Sequence, residues 1–333
     1  MKFHKIIAFC SHPITAFFRF KDVFQIYPLD FLEAPKSELI KIFPFVLEFC
    51  LTEHDQIELD GSLVEVGETI KELTAQVNFQ NKILKLLTIF SNFYFFNPQM
   101  SPQWFVRVEG LPEEELNEQT SVAGFNFYRF PKWKETYPIK EFAKFGFDQI
   151  KLQEHPQCFQ LVDIEGKEPV SFSRYIVGAF HNYFLLSKEQ QAVVDSAAEL
   201  INQGGKLKND MKSLSFIAFI SSIETMVANE YKDIEIEKCS KCGQDQYKVM
   251  AKFRDYLFEY ATSNAEAKKR INDLYSLRSK IAHTGILLYG DGKIEWSNSK
   301  EKADHFNMHL ESRMLAKLSL MNWILFRGNR KAK

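Results

Sequence analysis

The stretch Lys212-Ser213-Leu214-Ser215-Phe216-Ile217-Ala218-Phe219-Ile220-Ser221-Ser222-Ile223-Glu224-Thr225-Met226-Val227-Ala228 decides the fold of the second half of the chain. Its apolar residues fall on nearly every side of a helical projection, and Glu224 is the lone charge after Lys212. A helix apolar all round is buried, so this one reads as the centre of a helical bundle. Working outward, Leu186–Asn202 fits a helix capped by Ser187 and stopped by Gly204-Gly205. Lys248–Tyr260 and Asn264–Ala282 read as further helices. A hairpin, Ile286–Trp296 around Asp291-Gly292, follows. A long last helix, Glu301–Phe326, leads into a basic tail of Arg327, Arg330, Lys331 and Lys333.

Upstream the hydrophobic period falls to two. Ile57–Val66 alternates around Asp60-Gly61, which is a hairpin signal. Trp104–Val108 and Phe125–Phe130 alternate as well, and Cys158–Ile164 reads as a strand before a turn at Glu165-Gly166. One helix interrupts near Asn81–Phe93, with Ile83, Leu86, Leu87 and Phe90 on one face. Glu113–Glu118 reads as an exposed acidic loop. Strands followed by helices give an α+β protein, with a β-rich domain over 1–175 and an all-α helical bundle over 176–333. The boundary is expected near residues 166–185.

The composition is that of an ordinary globular chain. Of 333 residues 45% are hydrophobic and 26% charged, and 42 Lys+Arg stand against 43 Asp+Glu. No stretch approaches the ~20 unbroken apolar residues of a spanning helix, so no membrane partner is expected. The start, MKFHKIIAFCSHP, reads as a buried strand rather than a signal peptide. Five sparse cysteines then point to a reducing cytoplasm. The 32 Phe announce an aromatic-rich core. Charge is divided unevenly: residues 1–174 carry 18 Lys+Arg and 24 Asp+Glu, a net of -6, and the rest carries 24 and 19, a net of +5. The basic back half is the better place for a polyanion.

The helix over 264–282 carries the candidate chemistry. Ile271, Leu274 and Ile281 form its apolar stripe, and Arg278 falls on the same line. A guanidinium there must pair or face a cleft, and its fixed fork suits phosphate. His283 sits at the helix end, with Gly285 as the stop. A histidine titrating near neutrality can take a proton from a ribose 2′-hydroxyl or give one to a leaving oxygen. A nearby arginine can neutralise the charge that builds on the phosphate. Together they suffice for metal-free RNA cleavage. Five residues of ideal helix, however, set the two about 140° apart. They converge only if the helix unwinds near His283 or if two copies of the site face each other. The alternative is structural: Arg278 caps a buried carboxylate such as Glu224, and His283 only ends the helix.

Leu277-Arg278-Ser279-Lys280-Ile281-Ala282-His283-Thr284-Gly285 resembles the R-x4–6-H signature of HEPN-superfamily proteins, in particular the ApeA-like HEPN domains of bacterial anti-phage defence. Arg278, Ser279 and His283 match it, and Ala282 and Gly285 fit its surroundings. Glu224 on the earlier buried helix and the segment Glu237–Phe253 add to the likeness, which covers about residues 180–326. The resemblance implies a homodimeric, metal-independent endoribonuclease acting on tRNA or mRNA. Arg278 and His283 would be catalytic, with Ser279 and Glu224 supporting. It also implies a toxin-like role in abortive infection, with a phage-derived trigger sensed through the N-terminal domain. Some HEPN domains only bind RNA or nucleotides or act as scaffolds, and those alternatives stay open.

Cys239-Ser240-Lys241-Cys242 is half a zinc knuckle. A closed structural site wants four ligands, so a structural zinc here needs a second copy or distant residues, and a pair of free thiols remains the alternative. Cys10 and His12 read as strand residues. His305 and His309 lie i,i+4 on the last helix and, without the glutamate of H-E-x-x-H, read as a solvated face. Trp104, Phe125, Phe127 and Tyr128 could stack bases, although core packing explains them better.

Overall fold

The computed structural model describes residues 1–29, 43–52, 68–97, 120–122, 125–127, 139–144, 146–155, 157–159, 168–234, 237–238, 245–246, 248–262, 264, 267–291 and 300–327. The expected hairpin over 57–66, the strand over 104–108, the acidic loop over 113–118, Tyr128, and both Cys239 and Cys242 lie outside them. The chain is α+β and divides into two units: Met1–Glu154 with Leu161–Arg174, and His155–Gln160 with Tyr175–Lys333.

The first unit is built on a five-stranded antiparallel sheet of β1 (Lys2–Cys10), β2 (Phe18–Phe20), β3 (Phe24–Pro28), β4 (Phe43–Leu51) and β5 (Phe95–Phe96), in the order β2-β3-β4-β1-β5. Its β1–β4 register runs from Lys2 opposite Leu51 to Cys10 opposite Phe43. Strand β4 is buried from Phe45 to Leu51, so both of its faces are covered. Helix α1 (Glu68–Ile89) takes one face, with Phe79 against Phe49 at 5.7 Å between ring centroids. This helix begins well before the expected Asn81, because its first turns lie at the surface, where Ile70 and Leu73 are exposed and give no amphipathic signal. It ends at Ile89 rather than Phe93.

On the other face, Glu48 is fully buried and saturated. It accepts hydrogen bonds from Gln25 Nε2 (2.6 Å), Tyr27 Oη (2.7 Å) and the Ala143 amide (3.0 Å). A buried carboxylate is tolerated only when its lone pairs are filled in this way. Two further short pairings lie in this unit: β6 (Thr120–Val122) with β7 (Phe125–Phe127), antiparallel over three residues, and β8 (Leu152–Gln153) with β9 (Phe172–Ser173), parallel over two. Cys158 and Phe159, the start of the expected strand, belong instead to a 3-10 turn over Gln157–Phe159 and are both buried; its residues 160–164 lie outside the described residues.

The second unit holds α2 (Ile176–Phe184), α3 (Lys188–Leu207), α4 (Lys212–Glu230), α5 (Val249–Tyr260), α6 (Ala267–Thr284) and α7 (Lys300–Phe326). A ribbon of β10 (Glu237–Lys238) and β11 (Asp245–Gln246) brackets residues 239–244. Helix α4 packs against α3, α5, α6 and α7, the central place its all-round apolarity requires. Ser187 caps α3 in a reciprocal capping box with Gln190.

Two expectations fail here for the same reason, a contact with α4. Gly204-Gly205 does not stop α3, which continues to Leu207. Gly204 is instead a close-packing position: a Cβ there would meet the Phe219 ring at 2.7 Å. Nor is Asp291 the tip of a hairpin. The described residues 285–291 form no strand, and the Asp291 carboxylate accepts the amides of Lys212 and Ser213, each at 2.7 Å, capping α4 from a distant part of the chain. The neighbouring Gly290 has φ +95, with Lys212 Nζ 2.5 Å from where its Cβ would stand. Residues 292–296 of the expected hairpin lie outside the described residues.

A candidate nuclease site on the sixth helix

Helix α6 buries Ile271, Leu274, Leu277 and Ile281, so one stripe is fixed against the bundle. That leaves Arg278 beside α4. Its Nη2 donates to Glu224 Oε2 at 3.0 Å, and the two side chains keep 25% and 22% of their surface exposed. The pair is therefore shielded without being sealed. Arg278 Nε is buried and has no hydrogen-bond partner among the described residues. With five donors on a guanidinium and one close contact to Glu224, the fork has donors to spare.

Tyr275 completes the cluster. It stands one turn before Arg278 on the same face of α6, with its ring against Phe253 at 5.0 Å. Burial, and then the Glu224 charge, push its phenol up, so it remains a protonated donor. Composition and motif give no hint of Tyr275; the i,i+3 spacing to Arg278 is the signal that could have found it. Ser279 is half-buried beside Arg278.

His283 lies in the last turn of α6 and is exposed. The helix stays regular through Thr284, whose Oγ1 donates to the Lys280 carbonyl at 2.6 Å, and Gly285 ends it at φ +69 as the sequence predicts. Without unwinding, Arg278 and His283 remain about 140° apart in azimuth and about 7.5 Å apart along the axis. The structure thus brings Arg278 to Glu224 but does not bring His283 to either of them within one chain.

The paired histidines of α7 differ from expectation. His309 is buried at 9% exposure. Ser215 Oγ donates to the Gly204 carbonyl (2.6 Å) and stands 2.8 Å from His309 Nε2, so that nitrogen must be the donor to Ser215. Burial, helped by the charges of Arg313, Lys212 and Lys208 and opposed by Asp291, pushes its imidazole down to about 4. His305 Nδ1 accepts the Tyr289 amide at 3.3 Å. His309 therefore presents no solvated face, whereas His305 is half-buried against Tyr289.

Cys10 is buried in its strand, and the His12 ring sits 4.8 Å from that of Phe93. Among the described residues no group of three or more His, Cys, Asp or Glu is placed to hold a metal ion, and no helix is long and apolar enough to cross a membrane. No family model, no curated protein and no solved structure matches the chain.

Proposed function

We propose that this chain is a metal-independent endoribonuclease of the HEPN type, whose site is assembled between two copies and whose role is that of a toxin-like effector in anti-phage defence. The observation that carries the reading is the state of Arg278. It is oriented by Glu224, keeps a quarter of its side chain exposed and has unfilled donors, on the same unbroken helix that ends in an exposed His283.

In this reading Arg278 receives the scissile phosphate. An imidazole, that of His283 in the facing copy, takes the proton of the ribose 2′-hydroxyl. The 2′-oxygen attacks phosphorus, the bond to the 5′-oxygen breaks, and a protonated imidazole returns a proton to that oxygen. The products are a 2′,3′-cyclic phosphate and a 5′-hydroxyl. Arg278 offsets the charge that develops on the non-bridging oxygens. The defence role, the tRNA or mRNA substrate and the phage-derived trigger rest on the resemblance of the motif. So does a sensing role for the N-terminal domain. A structural zinc on Cys239 and Cys242 of paired copies is part of the same proposal and is separable from catalysis.

The test is growth arrest and RNA integrity on expression of the wild type, Arg278→Ala and His283→Ala, with and without phage challenge. Cleavage or protection abolished by both changes, with folding intact, supports the nuclease; protection that survives both overturns it. The Arg278–Glu224 ion pair also favours a second reading, a binding or scaffold module in which Arg278 is structural. That reading predicts that Arg278→Ala unfolds the bundle while His283→Ala changes nothing.

A further inference from the structure

Four polar side chains form a row on the sheet face opposite α1. Arg19 on β2 stands across from Gln25 on β3, Gln25 across from Glu48 on β4, and Glu48 across from Lys5 on β1. Residues directly opposite in antiparallel pairs share a face, so the row crosses four strands. Residues 139–144 lie on it without joining the sheet as a strand. Glu48 Oε2 accepts the Ala143 amide at 3.0 Å, and Gln25 Nε2 donates to the Ala143 carbonyl at 3.1 Å. Two side chains of the row thus hold one residue by its backbone. Phe142 is the anchor beside it. Its ring is buried, edge-on to the Phe3 ring at 5.1 Å and under the Arg19 guanidinium at 4.9 Å. It is the one buried residue of 139–144.

The seat does not depend on its occupant. Glu48 has Gln25 Nε2 at 2.6 Å and Tyr27 Oη at 2.7 Å as donors besides Ala143. Arg19 is fixed by Asp22 at 2.7 Å and by the Lys21 carbonyl at 2.8 Å. All four bonds remain if Phe142 and Ala143 leave, and the released backbone returns its two bonds to water. A preorganised seat, filled by a segment with one buried ring and two backbone bonds, suits exchange. We propose that this sheet face is a peptide-binding site and that residues 139–144 occupy it as an internal stand-in. Its external ligand is an extended peptide in which an aromatic residue precedes a small one. The aromatic ring takes the place of Phe142 between Phe3 and Arg19. The next residue offers its N–H to Glu48 and its carbonyl to Gln25, which rules out proline there. The inference is independent of the nuclease reading.

The probe is the pentapeptide Lys-Glu-Phe-Ala-Lys, the sequence of residues 140–144, with a fluorophore at its N-terminus and an amide at its C-terminus. Its binding to the full chain is followed by anisotropy for wild type, Phe142→Ala and Ala143→Pro, with folding checked by circular dichroism. Phe142→Ala removes the anchor, and Ala143→Pro removes the amide that Glu48 accepts. A tethered occupant competes at an effective concentration on the order of mM, so both variants should bind the peptide at least about 10-fold more tightly than wild type. Within the peptide, exchanging Phe for Ala or methylating the Ala nitrogen should abolish binding. Exchanging the Glu or either Lys for Ala should leave it unchanged. No saturable binding to either folded variant, equal binding by wild type and variants, or full binding of the N-methyl peptide overturns the inference. Unfolding of both variants overturns it as well, because residues 139–144 would then be part of the core rather than a stand-in.

Discussion

Arg278→Ala removes a guanidinium and leaves Glu224 half-buried without its close partner. The expected cost is about 1–3 kcal/mol of stability, read from a denaturant midpoint, together with loss of RNA cleavage. Glu224→Gln keeps an acceptor for Arg278 and should cost less; a Gln variant as damaged as the Ala variant would contradict this account of the pair. His309 gives a pH dependence of known sign. Its folded-state value of about 4 lies below the usual 6.5, so the unfolded chain binds the proton first. The stability tied to its neutral form is fully present above about 6.5 and is lost as pH falls toward 4, by up to about 3 kcal/mol. His309→Gln, which keeps a donor for Ser215, should flatten denaturation midpoints between pH 7 and 5; an unchanged slope would count against the assignment. At this scale the sequence was informative about Arg278, because a charge on an apolar helical line must have a partner and Glu224 is the acid within the apolar span of the central helix. It misread His309 as part of a solvated face, because the residues that bury it come from α3, α4 and the turn over 285–291.

Between helices, Gly204 and Asp291 carry the lessons. A Gly204→Ala change would gain about 1 kcal/mol of helix propensity, yet the new Cβ meets a fully buried Phe219 ring that has nowhere to go. Overpacking at about 1–3 kcal/mol should prevail, so the thermal midpoint falls; a rise would mean that the ring yields. Asp291→Ala uncaps α4 and should cost about 1 kcal/mol, with faster amide exchange localised at Lys212 and Ser213. Exchange unchanged at those two amides would show that the cap contributes nothing. The helices themselves were legible in their apolar spacing, and the Ser187 cap in its residue type. The roles of the glycine pair and of Asp291 were not, since stop signals and turn signals are local while both residues act on a helix distant in sequence. The early turns of α1 were missed for a related reason: an exposed helical segment leaves no buried face to read.

For the molecule as a whole, the sequence foretold strands before helices and a change of period between them, and the sheet-based first unit and helical second unit have that form. Short segments such as the turn at Gln157–Phe159 escaped, because a few residues carry too little pattern to separate turn from strand. The unbroken course of α6 through Thr284 then constrains function. Within one chain the two side chains leave α6 about 140° apart, so the proposed nuclease draws on two copies, each giving one residue to each site. The measurement that tests this most directly is cleavage by a mixed dimer of Arg278→Ala and His283→Ala chains, co-expressed with different tags, isolated by both, and assayed where wild type cleaves. Each variant alone should be inactive, and the mixed dimer, which retains one complete site of two, should recover about half the wild-type activity. A mixed dimer as inactive as its parents would contradict the account.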